Sequence, residues 1–166
     1  MQHINILIKP ASSLCNMRCT YCFYADVSNH RDIVSYGIMS TETTDRLIKN
    51  IFENIHDDDE ITFSFQGGEP TLAGLDYFIH FVSVVEQLHH LVPYHFTIQT
   101  NGLLLDESWC RFLAGKKFLT GLSLDGDKVF HDACRLDSHG EGTFSRVMQT
   151  KKLLEQSHIE YNNLPF

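Results

Sequence analysis

Basic side chains are scarce in this sequence: Lys and Arg number 13 against 21 Asp and Glu, a formal net charge of −8. The few cations are scattered, so no basic field is available for a phosphate backbone, and nucleic acid is excluded as the expected partner. Hydrophobic runs of membrane-spanning length, about 20 residues, are also missing. The opening Met-Gln-His-Ile-Asn-Ile-Leu-Ile-Lys-Pro has no basic n-region and too short an apolar stretch for a signal peptide. The expected compartment is therefore the cytoplasm, with no membrane partner. Five cysteines, an odd number, do not make a disulfide framework there. Neither G-x-G-x-x-G nor a Walker motif with its Lys occurs, which weakens a phosphate reading of the glycine-rich segments. No internal repeat and no low-complexity segment are found.

What is present suffices for a packed core. Hydrophobic residues make up 43% and charged residues 20%, a balance that argues against disorder. At 166 residues the chain is one domain or a piece of a larger one.

Periodicity then gives the order of elements. Ile4 to Ile8 reads as a first strand ending at Lys9-Pro10, and residues 11–39 read as a long loop with few regular signals. Ser40 is a plausible N-cap, followed by Leu47, Ile48, Ile51, Phe52 and Ile55 at helical spacing. The acidic run Asp57-Asp58-Asp59-Glu60 reads as a solvated turn. Ile61, Phe63 and Phe65 alternate with polar residues in a second strand. Leu75, Phe78, Ile79, Val82 and Val85 mark a helix, and Phe96 and Ile98 a third strand. Asp106 caps a short helix with Trp109, Phe112 and Leu113 inward and Gly115 at its C-terminal cap. Phe118 to Leu124 is a fourth strand, Thr143 opens a helix with Phe144, Val147, Met148 and Leu154 on one side, and Ile159 to Tyr161 begins a fifth strand. Pro165 lacks the donor a continuing strand needs. Strand, loop, helix, repeated about four times, predicts an α/β fold with parallel strands and right-handed crossovers. The order alone does not separate a doubly wound sheet from part of a (β/α) barrel.

Chemistry concentrates at the strand ends. Cys15, Cys19 and Cys22 lie in Cys-Asn-Met-Arg-Cys-Thr-Tyr-Cys, a C-x3-C-x2-C spacing with Tyr21 before the last cysteine. Three thiolates on one short loop can hold three irons of a [4Fe–4S] cube and leave the fourth open to a small molecule. Two other readings stand beside it: a zinc site with His30 as a distant fourth ligand, or inert thiols. Gln66-Gly67-Gly68-Glu69-Pro70, Gln99-Thr100-Asn101-Gly102 and Ser123-Leu124-Asp125-Gly126 also follow strands. In a parallel α/β architecture these loops all emerge on the face where ligands bind. Cys110, beside Trp109, reads as a buried inert thiol. Cys134 receives no role, and the ten histidines, His89-His90 among them, show no metal spacing.

These motifs, with Leu7-Ile8-Lys9-Pro10-Ala11-Ser12-Ser13, Tyr21-Cys22-Phe23-Tyr24, Ser35-Tyr36-Gly37-Ile38-Met39, Thr71-Leu72-Ala73-Gly74 and Gly121-Leu122-Ser123, resemble the N-terminal part of the anaerobic sulfatase-maturating enzymes. That family belongs to the radical S-adenosylmethionine superfamily. The resemblance implies a partial (β/α) barrel of radical SAM type over residues 1–166, about four βα units and the start of a fifth strand. It implies a [4Fe–4S] cluster on Cys15, Cys19 and Cys22, with S-adenosylmethionine on the fourth iron. Tyr21 would lie against the adenine. Gly67, Gly68 and Glu69 would meet the amino group, Ser123 the ribose or carboxylate region, and Arg135 the carboxylate. Tyr24 would line a peptide channel or serve as a packing aromatic. The implied partners are a sulfatase polypeptide, whose Cys or Ser is oxidised to formylglycine through a 5′-deoxyadenosyl radical, and a reductant protein. Members of the family are more than twice as long, with a six-stranded barrel and a C-terminal auxiliary-cluster domain. The chain is therefore expected to be a truncated core, to form no formylglycine alone, and to expose the edge of its fourth strand. Outside the resemblance, the alternative is a non-enzymatic zinc-binding interaction module or a regulatory remnant.

Overall fold

The computed structural model describes residues 2–89 and 91–164. Five strands, β1 (His3–Ile8), β2 (Glu60–Phe65), β3 (Tyr94–Thr100), β4 (Leu119–Ser123) and β5 (Tyr161–Leu164), form one sheet in the order β1-β2-β3-β4-β5. Every neighbouring pair is parallel. Helices α2 (Thr41–Glu53), α3 (Leu75–Leu88), α4 (Glu107–Gly115) and α6 (Phe144–Gln156) carry the four crossovers. A strand order that never reverses keeps right-handed crossovers on one face of the sheet. A doubly wound fold reverses and covers both faces, so this sheet is the wall of a (β/α) barrel. It is not closed: β1 and β5 are its edges.

The two faces differ as the alternation predicts. Ile61, Phe63 and Phe65 of β2 are fully buried against the helices with Phe96, Ile98 and Leu122. Phe63 meets Phe81 at 5.4 Å, and Phe65 meets Phe78 at 4.8 Å and Phe81 at 4.9 Å, mostly edge to face. The opposite face is polar. Ser64 Oγ donates to Asn5 Oδ1 (2.8 Å) and Thr97 Oγ1 donates to Ser64 Oγ (3.0 Å).

Several expected boundaries hold. Ser40 Oγ accepts from Thr43 N, and Asp106 Oδ1 accepts from Ser108 N and Trp109 N. Cys110 is buried. Other boundaries move. Within the stretch read as loop, α1 (Phe23–Asn29) starts directly after Cys22, and α5 (Lys128–Cys134) follows the β4 loop. Ile79 is 47% exposed, whereas Tyr77 and Phe81 turn inward on α3. The left-handed residue beyond α4 is Lys117 (φ 54°), not Gly115, which is the helix's last residue. In the acidic run Asp59 is buried, because its carboxylate accepts from Gln2 N (2.7 Å) and His56 N (3.3 Å). β5 pairs with β4 from Thr120↔Tyr161 to Ser123↔Leu164, so the fourth strand is not the exposed edge and the fifth continues through Asn162 and Asn163. Pro165 and His90 lie outside the described residues. No helix among those residues is long and apolar enough to cross a membrane.

Candidate active site

The cysteine loop lies over the C-terminal ends of the strands, tied down on both sides. On one side Glu69 N donates to Leu14 O (2.8 Å), and Gly68 sits so close that a Cβ there would fall on the Leu14 carbonyl oxygen. Gly68 has φ +59° and Gly67 φ +109°, conformations that favour glycine. On the other side the loop pairs with the segment after α5. Arg18 N donates to Leu136 O (2.7 Å), Thr20 N donates to Cys134 O (2.9 Å), and Met17 bridges to Asp137.

Between these anchors lies a cavity of about 240 Å³. Cys15, Cys19, Tyr21, Cys22, Gly67, Gly68, Glu69, Ser123 and Arg135 all line it, so the structure brings together every residue singled out from the sequence as a site residue. Tyr24 lines it too, with the Lys9 ammonium 4.3 Å from its ring centroid. His30 does not line it. Its imidazole is 78% exposed at the end of α1 and bonds the Asp26 carbonyl.

The donor set separates the metal readings. Four thiolates around one zinc at 2.3 Å would have sulfurs about 3.8 Å apart by tetrahedral geometry. Among the described residues no three His, Cys, Asp or Glu are grouped to hold one metal ion. Three cysteines lining one cavity suit a cube in which each thiolate binds a different iron. One of these sulfurs also has N–H groups aimed at it. Cys15 Sγ accepts from Met17 N (3.4 Å) and from Asn101 Nδ2 (3.9 Å), as suits a sulfur that becomes anionic. Burial pushes the Cys15 thiol up to about 11 and raises Cys19 as well. Both are therefore protonated at neutral pH until a metal displaces the proton.

Glu69 is buried, and its carboxylate is already well supplied with donors. Oε1 accepts from Thr71 N (3.0 Å), Thr71 Oγ1 (2.6 Å) and Thr100 Oγ1 (2.8 Å), and Oε2 accepts from Asn101 N (2.8 Å). Burial pushes this carboxyl up, and the same donors pull it back down. Glu69 thus links the ends of β2 and β3 at the cavity wall. Ser123 Oγ accepts from Gln99 Nε2 (2.9 Å). Arg135, 4% exposed, has its fork on Asp125: Nε to Oδ2 at 2.8 Å and Nη2 to Oδ1 at 3.1 Å. Tyr21 donates its hydroxyl to Asp125 Oδ2. Asp125 and Asn101 hold other residues of this arrangement and received no role from the sequence. Their position at strand ends, inside motifs already recognised, was the available signal.

Comparison with known proteins agrees with this geometry. The family model for the radical SAM superfamily matches residues 10–165. A cysteine-type anaerobic sulfatase-maturating enzyme of Clostridium novyi is 42% identical over 99% of this chain and 44% of its own length. A serine-type counterpart of Bacteroides thetaiotaomicron is 30% identical over 95% of this chain and 38% of its own. The solved structure of native anSMEcpe with bound AdoMet superposes with TM-score 0.90 at 42% identity, covering 98% of this chain and 44% of that one. The structure with AdoMet and the Cp18Cys peptide gives TM-score 0.89 at 41% identity, covering 98% and 43%. The chain spans less than half the length of these relatives. With the cysteine triplet, the strand-end loops and the all-parallel sheet in register with them, the chain belongs to the radical SAM superfamily.

Proposed function

We propose that this chain is the cluster- and AdoMet-binding core of a sulfatase-maturating enzyme. The convergence of Cys15, Cys19 and Cys22 with the three other strand-end loops on one cavity carries the reading. The three cysteines hold a [4Fe–4S] cluster, and AdoMet occupies the rest of the cavity. Gly67 and Gly68 would bring backbone close to its amino end, and the Glu69 carboxylate would accept from the ammonium. Ser123 meets the ribose or carboxylate region, and Arg135 sets a positive charge on the side of the carboxylate. Tyr21, its hydroxyl held by Asp125, offers its ring to the adenine. Phe23 and Tyr24 line the cavity and border the approach of a peptide.

When bound, the cluster and AdoMet supply one-electron cleavage of a sulfonium bond and a carbon radical able to take a hydrogen atom. The protein's part is to hold the two in contact and dry. The substrate is a sulfatase polypeptide whose Cys or Ser becomes formylglycine. The higher identity to the cysteine-type relative favours cysteine. The electron comes from a reductant protein, and the compartment is the cytoplasm, where thiols stay reduced.

The test is anaerobic reconstitution followed by metal analysis and electron paramagnetic resonance. About four irons per chain are expected, with a spectrum of the reduced cluster that changes when AdoMet is added. One zinc per chain without iron would overturn the cluster. An intact cluster blind to saturating AdoMet would overturn the cofactor site. Activity is read by mass spectrometry of a cysteine-containing sulfatase peptide.

A further inference from the structure

Arg135 occupies an unusual position among the residues of the cavity. The backbone bond from Thr20 N to Cys134 O places Cys19 and Arg135 side by side across the seam between the cysteine loop and the end of α5. The guanidinium carbon stands 5.5 Å from the Tyr21 ring centroid, and Arg135 and Cys19 line the same cavity. Asp125 fixes the other edge of the fork through two bonds, and that carboxylate is fixed in turn by Tyr21. The charge is therefore immobile. Two bonds from one carboxylate hold a planar guanidinium in one orientation, as a lysine could not be held.

We propose that Arg135, oriented by Asp125, is a positioning residue for the electron step: its charge beside Cys19 raises the reduction potential of the cluster and Asp125 trims that effect. A positive charge beside a cluster sulfur favours the reduced, more negative state, and burial strengthens the effect. The same cation remains on the carboxylate side of AdoMet, so the arginine joins the two halves of the site. The inference rests on the cluster reading above and adds a role in electron transfer to it.

The measurement is a redox titration of the reconstituted chain without AdoMet, following the reduced cluster by electron paramagnetic resonance, beside iron content for each variant. Arg135→Gln is expected to shift the ratio of oxidised to reduced cluster about tenfold toward oxidised at the wild-type midpoint, which is 59 mV for one electron. Asp125→Asn should shift it the other way, because the arginine charge then has no carboxylate against it. A brace that only held the loop would move both variants together or neither. An unchanged ratio in iron-replete Arg135→Gln, or shifts of the same sign, would overturn the proposal. If Arg135→Gln fails to hold iron, Asp125→Asn decides alone: a raised midpoint supports the role, and an unchanged or lowered one removes it. Loss of iron from both variants also overturns it, since a tuning charge is not needed for assembly. An iron-free wild type defeats the cluster reading itself, which the iron analysis distinguishes.

Discussion

The two faces of the strand ends solve different problems. Between sheet and helices, Phe63, Phe65, Phe78, Phe81, Phe96 and Phe118 are all buried and touch one another, so many contacts share the task of holding the fold. Above the strands, single atoms matter: the missing Cβ of Gly68, the four donors on Glu69, the fork of Arg135 on Asp125. Volume governs the first region and position the second. Substitutions in the core should therefore be read as lost stability, and substitutions at the rim as a lost site on a standing fold.

The core should give the largest effect. Phe65→Ala removes a ring that meets Phe78, Phe81 and Phe118 and leaves a cavity at a fully buried position. A loss of about 3–5 kcal/mol is expected from a denaturant titration, a large part of the usual stability of a domain. A loss under about 1 kcal/mol would mean that the aromatic layer is loosely packed and the contrast is false.

Gly68→Ala should give a smaller stability loss and a larger functional one. The alanine must hold φ near +59° and push against the Leu14 carbonyl, which displaces the cysteine loop. The left-handed conformation alone costs an alanine about 1–2 kcal/mol. Iron per chain after reconstitution should fall well below wild type while far-ultraviolet circular dichroism keeps its shape. Full iron content would show that the loop has room to shift and that position matters less at the rim.

The same contrast explains what the sequence could reveal. Alternation in Ile61, Phe63 and Phe65 exposed β2 because one face of that strand is core, and Ser40 and Asp106 announced their helices by local capping. The cysteine spacing is equally local. α1 and α5 escaped because neither has an apolar stripe turned inward: Ser28 is the buried residue of α1 and His131 that of α5, while Phe23, Val129 and Phe130 face out. Helical periodicity has nothing to detect there. Asp125 escaped for another reason. Its partners Arg135 and Tyr21 meet it only after the cysteine loop and α5 fold over β4, and no spacing records that.

His131 offers the smallest and most selective test. It is fully buried in α5 and joins the two regions, packing edge-on against Phe144 (5.6 Å between centroids) while holding the loop that carries Asp125. Thr143 Oγ1 donates to Arg135 O (2.8 Å), so it accepts from His131 Nε2 (3.0 Å), and Nδ1 then accepts from Asp125 N (3.4 Å). That assignment needs a neutral ring: a second proton would set Nδ1–H against the Asp125 N–H. Burial lowers the pKa of His131, the nearby Arg135 lowers it further, and Asp125 and Asp132 only partly oppose them. The unfolded chain therefore takes up this proton first as pH falls below about 6.5, and the folded state follows at a lower pH. Stability is present above that range, declines as pH falls through it, and flattens below the folded pKa. The measurement is the difference in unfolding free energy between wild type and His131→Asn from pH 7.5 to pH 5, which cancels the other titrating groups. The wild type should lose its advantage as pH falls. A difference that stays constant or grows toward acid would mean that the ring is charged in the fold, and the Nδ1 acceptor from Asp125 would have to be reassigned.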